Sequence, residues 1–586
     1  MCGIVGFIGN KTPAHNLIKI LKRLEYRGYD SSGLAYLSGK KINAIKAAGE
    51  ISNLENKVNN KLQVSLALCH TRWATHGAPT EINTHPHLSV NGVWAVVHNG
   101  IIENYLDLKC RLKLKDKILS QTDTAVLTQF LEERNVQTIN DFINAFKLVQ
   151  GSFAIAAINK TSKALFLAKN KSPLYVAENN GKFLVASDPV CFSGFSKAYY
   201  ELKDNEFALI SHKKLQFYNF LGEKIVKNEV KLENVEDEEI NKFPHFMLKE
   251  IYETKPALLR VCNIFSSPNM IKILKTIKTN TFERFCFIGC GTAYHASLMG
   301  AKIIEKIARI PAEAIVASEF IYSNPILNNK TLYIFVSQSG ETADTISALT
   351  LVKNAGCQTL ALTNVLYSTL AKSADIVLPV CAGREISVAS TKAYTCQISI
   401  LYLLANFIAG GIDNFNLAIK NLKNAANAIL DFDKLTVDRI ATMLSNKNEA
   451  IFIGKGLDSI TAQEASLKLK EVSYINSSSY PSGELKHGFL ALITTETPLI
   501  AVITQPSLLS KTLNSSNEAA SRGANVILVS QCNEVNANIT IKNLSDENLM
   551  PVMSIVPLQY LAYLVSIKRG INPDKPRNLA KSVTVE

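Results

Sequence analysis

Cys2, directly behind Met1, is the residue whose type and position most clearly permit chemistry. A small second residue allows the initiator methionine to be removed. Cys2 would then carry a thiol nucleophile and a free α-amine on the same residue. That amine has a reference pKa of about 8, against about 10.4 for lysine, so part of it is neutral near pH 7. It can take the thiol proton directly or through a water, making the first residue its own general base. The alternative is a Cys that follows Met by chance and packs as a small hydrophobe.

A second group of candidates lies far along the chain. Ser337-Gln338-Ser339-Gly340-Glu341-Thr342 is rich in hydroxyls, follows an apolar strand pattern and precedes a helical one. Such a turn suits phosphate, because backbone N–H groups, hydroxyls and the helix dipole converge on it. Gly289-Cys290-Gly291-Thr292 and Val388-Ala389-Ser390-Thr391-Lys392 suit further walls of the same crevice, although Ser and Thr also cap helices for structural reasons alone. Glu464, Lys468 and Glu471 share one face of a strongly helix-forming stretch, either as a solvated salt-bridged surface or as part of a site. His487, in a tight loop bordered by Gly483 and Gly488, is a general acid/base candidate.

These groups need a scaffold, and 586 residues suggest about three or four domains. To about residue 220 the chain reads as short β-rich runs (Ile4–Ile8, Gly33–Leu37, Val93–Val97, Phe153–Ala157) with helical patterns such as Thr124–Glu133 between them. That predicts an α+β domain with stacked sheets. From Lys224 to Glu239 the composition is that of a solvated connector. Beyond it a strand–turn–helix rhythm predicts parallel sheets, and the pattern recurs. Phe287-Ile288-Gly289 answers to Phe452-Ile453-Gly454, Val336-Ser337-Gln338-Ser339 to Ile503-Thr504-Gln505-Pro506, and Leu360-Ala361-Leu362 to Val526-Ile527-Leu528. Similar offsets argue for two copies of one doubly wound domain, the alternative being the general likeness of α/β domains. Pro506 stands where the first copy has Ser339, so the anion site belongs to the first copy.

Composition excludes several classes. Hydrophobic residues at 47% and charged ones at 19% describe a soluble globular protein. The net charge of +13 favours anionic partners, but without an arginine-rich arm or other nucleic-acid module the anions expected are small phosphorylated substrates. Eleven cysteines without a CxxC pair fit a reducing, cytoplasmic setting and neither a disulfide framework nor a metal site. The N-terminus has no signal-peptide pattern, and the apolar segment near Ile398–Ile408 is too short to span a bilayer, so no membrane is expected.

The motifs together resemble the glutamine–fructose-6-phosphate aminotransferase (isomerizing) family over essentially the whole chain. The likeness rests on Cys2-Gly3-Ile4-Val5-Gly6, Arg23–Ser31, His70–Gly77, His85-Pro86-His87 and His98–Asn104, then on Ser337–Thr345, Val388–Ala393, Gly483–Gly488 and the terminal Pro576–Glu586. It implies an N-terminal-nucleophile (αββα) class II glutamine amidotransferase domain over 2–220, a linker over 221–245, two flavodoxin-like sugar isomerase (SIS) domains over 246–430 and 431–575, and a tail over 576–586 completing the sugar site. The implied reaction makes D-glucosamine 6-phosphate and L-glutamate from D-fructose 6-phosphate and L-glutamine, at the entry to hexosamine synthesis. No cofactor or metal is implied.

The resemblance also implies roles. Cys2 attacks the glutamine amide, and Asn99 with the Gly100 N–H forms the oxyanion hole. Arg72 pairs with the substrate α-carboxylate and Asp123 with its α-ammonium, Thr75 and His76 lie on a closing loop, and Trp73 gates the ammonia path. Thr292, Ser337, Gln338, Ser339 and Thr342 hold the sugar phosphate, beside Ala389 and Ser390. His487 opens the ring from the neighbouring subunit of a homodimer, Glu471 moves a proton between C1 and C2, and Lys581 forms an imine with the open ketone, supported by Glu464 and Lys468. Two positions depart from the family pattern: Ala293 where Ser is common and Phe489 where Pro is common, which puts phosphate affinity in question. An amidophosphoribosyltransferase would share the Cys2 front but needs a cluster of acidic residues after a strand. A non-catalytic sugar-phosphate sensor built of two SIS domains would have no use for Cys2, Asn99 or Lys581.

Overall fold

The computed structural model describes residues 2–74, 76–211, 214–232, 240, 242–279, 282–531 and 535–584. Met1, Thr75, the acidic run 235–239 and the last two residues of the C-terminal motif lie outside the described residues. The chain divides into a unit of residues 1–238 and 582–585 and a unit of residues 239–581 and 586.

Among the described residues the first unit forms an eight-stranded and a seven-stranded sheet. In the former, Gly3–Pro13 runs antiparallel between Lys182–Ala186 and Gln63–Arg72. In the latter, Trp94–Ile102 runs antiparallel between His87–Leu88 and Gly151–Asn159. Strand side chains alternate between faces, so each sheet has two apolar surfaces to cover. The inner faces meet, with Ile4, Leu66 and Leu68 packed among Ala95, Val97 and Ala154. Helices Ala14–Lys22 and Ile51–Lys57 cover one outer face through Leu17, Leu21 and Leu54, while Asp123–Glu133 and Ile139–Phe146 cover the other through Val126, Phe130 and Phe142. The result is a helix–sheet–sheet–helix sandwich, the stacked-sheet α+β domain read from the strand runs in the form the family resemblance implies.

The charged stretch from Lys224, read as a connector, contributes two short strands. Lys224–Ile225 pairs with Lys214–Tyr218, and Val230–Lys231 with Ala198–Glu201. Two-residue edge strands with exposed or half-exposed side chains leave no apolar alternation to read.

The second unit holds two parallel five-stranded sheets of one topology. The first runs Ala312–Val316, Arg284–Gly289, Thr331–Ser337, Thr359–Thr363, Ile376–Pro379; the second runs Asn476–Pro481, Glu449–Gly454, Pro498–Ile503, Asn525–Ser530, Ile539–Thr540. Both have the order 2-1-3-4-5 of a flavodoxin-like doubly wound sheet. The likeness reaches single residues: Gly291 (φ 55°, ψ −127°) and Gly456 (φ 62°, ψ −128°) each lead into the helix after the first strand of their copy.

The apolar segment near Ile398–Ile408 belongs to a much longer helix, Lys392–Ala428, broken at Gly411 (φ 69°, ψ −146°). This helix and the segment Glu547–Lys568 are long and apolar enough to cross a bilayer, yet 67% and 83% of their most apolar windows are buried inside the protein. They serve here as core helices, with Leu401 and Leu404 in the same cluster as Leu558 and Leu561. The chain after them turns back into the unit. Asp574 accepts the N–H groups of Phe246 and Met247 at 2.8 and 2.7 Å, and the Arg577 guanidinium lies 4.2 Å over the Tyr474 ring.

Candidate active site

Strand pairing builds the first centre. Gly3 stands opposite Thr71, which brings Cys2 to the end of the strand Gln63–Arg72. The half-buried Cys2 Sγ accepts the Trp73 N–H at 3.3 Å and lies 3.6 Å from the Trp73 carbonyl. Burial raises its thiol pKa, and the neighbouring Arg72 charge opposes that rise. Asn99, on the facing sheet, donates Nδ2 to the Cys2 carbonyl at 2.9 Å. Gly100 follows at φ +129°, where a Cβ would meet the Ser152 carbonyl at 2.0 Å, so only glycine fits. Cys2, Asn99 and Gly100 are therefore neighbours.

The expected glutamine-holding residues lie around them. Arg72 is buried and directs Nη2 at the His76 and Gly77 carbonyls, with Nη1 3.4 Å from the Ala78 carbonyl, tying the 76–78 loop to the strand end. Asp123 is buried, accepts the N–H groups of Ile102 and Thr124 at 2.8 Å each, and lies 3.8 Å from His98 Nδ1. Burial lowers the pKa of His98, with the Asp123 charge working against it. Asp30, given no role from sequence, accepts the Ala74 N–H at 2.9 Å and holds the chain just past Trp73.

The second centre sits at the topological switch point of the first parallel sheet, where strand order reverses between Arg284–Gly289 and Thr331–Ser337. Ligands of open α/β sheets bind there, at the carboxyl ends of the strands. The turn at 290–291 leads into the helix Thr292–Ile307 and the turn at 338–342 into Ala343–Asn354, so two helix N-termini serve this edge. Ser337 Oγ accepts the Gly340 N–H at 3.0 Å and is 3.4 Å from Thr342 Oγ1; Ser339 Oγ accepts the Glu341 N–H at 3.2 Å. Gly340 (φ +66°) leaves room for the Ser368 hydroxyl, which a Cβ would meet at 2.1 Å.

The second copy differs at the corresponding turn. Its Asp458, the counterpart of Ala293, is buried and takes the Thr504 N–H at 2.7 Å as well as the Thr504 hydroxyl. An internal carboxylate thus occupies the Thr504 donors of the second copy.

Glu464, Lys468 and Glu471 do share one face of a helix, Leu457–Ser473. The solvated alternative falls, because the side chains of Glu464 and Lys468 are only 0% and 1% exposed and Glu471 is 21% exposed. Lys468 Nζ pairs with Glu471 at 2.5 Å and Glu464 at 3.4 Å, and donates to Thr292 Oγ1 at 2.9 Å. Burial pulls the Lys468 pKa down, yet the two carboxylates outweigh it and leave it raised. Glu464 also accepts from Thr292 Oγ1 at 3.1 Å and meets His295 Nδ1 at 2.7 Å. Thr292, of the first copy, is thereby joined to the helix of the second.

Lys581 is buried against Glu385, which also accepts from Ser390 Oγ at 2.9 Å and from the N–H groups of Thr391 and Ala393 at 2.9 and 3.2 Å. Burial raises the Glu385 pKa, but Lys581 and the hydrogen bonds leave it lowered. Ala389 is buried beside this turn. Gln338 joins the network through its backbone, accepting the Asn364 N–H at 3.2 Å. His487 is exposed at the end of the short 3-10 helix Ser482–His487. Phe489 stacks on Tyr480 at 3.7 Å.

Sequence reasoning missed Glu385, Glu250 and His295. Glu385 lies three residues before Val388–Lys392, a single carboxylate beside a run of hydroxyls, and His295 stands one helical turn after Thr292. Glu250 is buried, takes the Ile386 and Ser387 N–H groups, and is pushed up to about 8 by burial and then by Glu385.

Comparison with known proteins places the domains in families. A glutamine amidotransferase domain model matches residues 70–193, and an SIS domain model matches 282–407 and again 443–569. The fold and the two centres thus define an amidotransferase front joined to a pair of SIS domains. The chain is 42% identical to the glutamine–fructose-6-phosphate aminotransferase (isomerizing) of Caldanaerobacter subterraneus subsp. tengcongensis and 41% identical to that of Bacillus subtilis, over 100% of both chains in each case. The solved C-terminal domain of the glucosamine-fructose-6-phosphate aminotransferase from Francisella tularensis aligns at TM-score 0.53 and 34% identity, covering 58% of this chain and 100% of that one. The chain belongs to the glutamine–fructose-6-phosphate aminotransferase (isomerizing) family.

Proposed function

We propose that this chain converts D-fructose 6-phosphate and L-glutamine to D-glucosamine 6-phosphate and L-glutamate, dividing the work between Cys2 and Lys581. With Met1 removed, the Cys2 amine takes the thiol proton and the thiolate adds to the glutamine side-chain carbonyl. Asn99 Nδ2 and the Gly100 N–H stabilise the oxyanion, a charge that appears only after addition. Ammonia leaves and water releases glutamate from the thioester. Arg72 turns its guanidinium to the substrate α-carboxylate, Asp123 receives the α-ammonium, Thr75 and His76 close over the substrate, and Trp73 gates the ammonia.

At the sugar centre, Thr292, Ser337, Gln338, Ser339 and Thr342 hold the phosphate at the two helix N-termini, next to Ala389 and Ser390. The opened ketone condenses with Lys581 Nζ, with loss of water, and the nitrogen from glutamine replaces the lysine. Glu471 then moves a proton between C1 and C2, in the network that Glu464 and Lys468 hold. Ring opening falls to His487, whose exposure in the single chain suits donation to the site of a second copy in a homodimer. A cytoplasmic setting, without nucleic acid or membrane, fits these substrates.

The observation that carries this reading is the presence, in one chain, of Cys2 beside Asn99 and of Lys581 buried on Glu385 next to Ser390. The test supplies glutamine labelled with ¹⁵N in its side-chain amide and weighs the amino sugar phosphate formed. The reading expects the label in glucosamine 6-phosphate; unlabelled product, or none, would overturn it.

A further inference from the structure

The Asn99 carboxamide is held from both ends. Its Nδ2 donates to the Cys2 carbonyl at 2.9 Å, and its Oδ1 lies 3.1 Å from His70 Nε2. The same Nε2 lies 3.1 Å from the His98 carbonyl oxygen. A carbonyl can only accept, so Nε2 must carry the ring proton and donate it. That proton in turn dictates which end of the Asn99 amide faces His70. The oxygen end is bound, and the reversed amide would set two donors against each other.

The surroundings keep this tautomer in place. His70 is fully buried in the strand Gln63–Arg72, with Ile4 opposite on one side and Gly33 on the other. Burial pulls its pKa down to about 3, so the ring is neutral and carries one N–H. Its ring lies 4.4 Å from that of His85, and its Nδ1 has no hydrogen-bond partner among the described residues.

We propose that His70 is a positioning residue for glutamine hydrolysis, its Nε2–H fixing the Asn99 carboxamide with Nδ2 turned toward Cys2. The proposal rests on Asn99 serving as an oxyanion donor. An amide free to reverse would present its oxygen lone pairs to the developing negative charge, and losing one oxyanion donor costs about 10²–10³ in kcat.

Two neutral polar variants separate positioning from bulk structure. His70→Gln carries an N–H that can reach the site of Nε2, whereas the shorter His70→Asn cannot reach Asn99. His70→Asn should lower kcat for glutamine hydrolysis by about 10- to 1,000-fold with KM within about twofold, and His70→Gln should recover at least tenfold of that loss. Alkylation of Cys2 by iodoacetamide, followed by peptide mass mapping, displaces iodide without forming an oxyanion, so its rate should be unchanged in both variants. Equal kcat in the two variants, or hydrolysis and alkylation falling together, would overturn the proposal. An Asn99→Ala control distinguishes the two levels. Full hydrolysis in Asn99→Ala would sink the oxyanion assignment itself, whereas loss there beside two unimpaired His70 variants would sink only the role of His70.

Discussion

Replacing Glu385 with glutamine should release Lys581 from the sugar centre without unfolding the unit around it. Both side chains are almost wholly buried, at 0% and 3% exposure. The substituted amide keeps an oxygen for the Thr391 and Ala393 N–H groups, so the turn before the helix Lys392–Ala428 retains its acceptor. What changes is the group facing Lys581, where a carboxylate oxygen that also accepts from Ser390 Oγ becomes an NH₂ and the ammonium loses its paired carboxylate. Removing one partner of a buried pair costs about 3–5 kcal/mol. At about 1.4 kcal/mol per decade, that shifts the docking equilibrium of Lys581 by roughly 10²- to 10⁴-fold. The preceding anchors, at Asp574 and Arg577, are independent of Glu385, so the release should be confined to residues 578–581. Hydrogen–deuterium exchange should show faster exchange there, synthesis should fall at least tenfold, and glutamine hydrolysis should stay within twofold. The double variant Glu385→Gln/Lys581→Met removes both charges of the pair, so it should restore protection of 578–581 but not synthesis. Wild-type exchange and wild-type synthesis in Glu385→Gln would refute the argument.

Glu250→Gln should flatten the pH dependence of stability in the second unit. A buried carboxyl raised from 4.5 to about 8 is neutral in the folded state over that range but ionised in the unfolded chain, so its stabilising effect is complete below about pH 4.5 and lost as pH rises toward 8. The gap bounds the effect at about 5 kcal/mol, shared with Glu385, Lys581 and Lys392 around it. Melting profiles of the two proteins should therefore separate progressively between pH 5 and 8, with the variant ahead at the upper end; parallel profiles would contradict the assignment. Gly340→Ala should weaken fructose 6-phosphate binding, because the backbone there is at φ +66° and a Cβ would strike the Ser368 hydroxyl. A rise of at least tenfold in KM for the sugar, with KM for glutamine unchanged, is the expected readout, and an unaltered sugar KM would contradict it.

How much of this was legible in the sequence depended on whether the signal was local. Apolar strand runs announced the parallel sheets, and similar offsets between Phe287 and Phe452 or Leu360 and Val526 announced the duplication that Gly291 and Gly456 repeat in their dihedral angles. The hydroxyl-rich turn at Ser337–Thr342 named its own place, since a turn between strand and helix in such a sheet lies on the ligand edge. Glu464, Lys468 and Glu471 were legible as a helix face but not as a buried one, because burial is decided by what packs against the helix. Glu385, His295 and His70 were silent for the same reason: their partners Lys581, Glu464 and Asn99 come from 196, 169 and 29 residues away, and no periodicity encodes such pairings. The Lys392–Ala428 helix outran the apolar segment seen in the sequence because its later part is amphipathic, burying Phe415, Ala418 and Leu422 while turning polar residues outward.

The central claim, that nitrogen is freed at Cys2 and used at a separate sugar centre, is tested most directly by Cys2→Ala. The account predicts that this variant loses glutamine hydrolysis and glutamine-dependent synthesis together while still isomerising fructose 6-phosphate to glucose 6-phosphate. A Cys2→Ala protein that hydrolyses glutamine at the wild-type rate would contradict it.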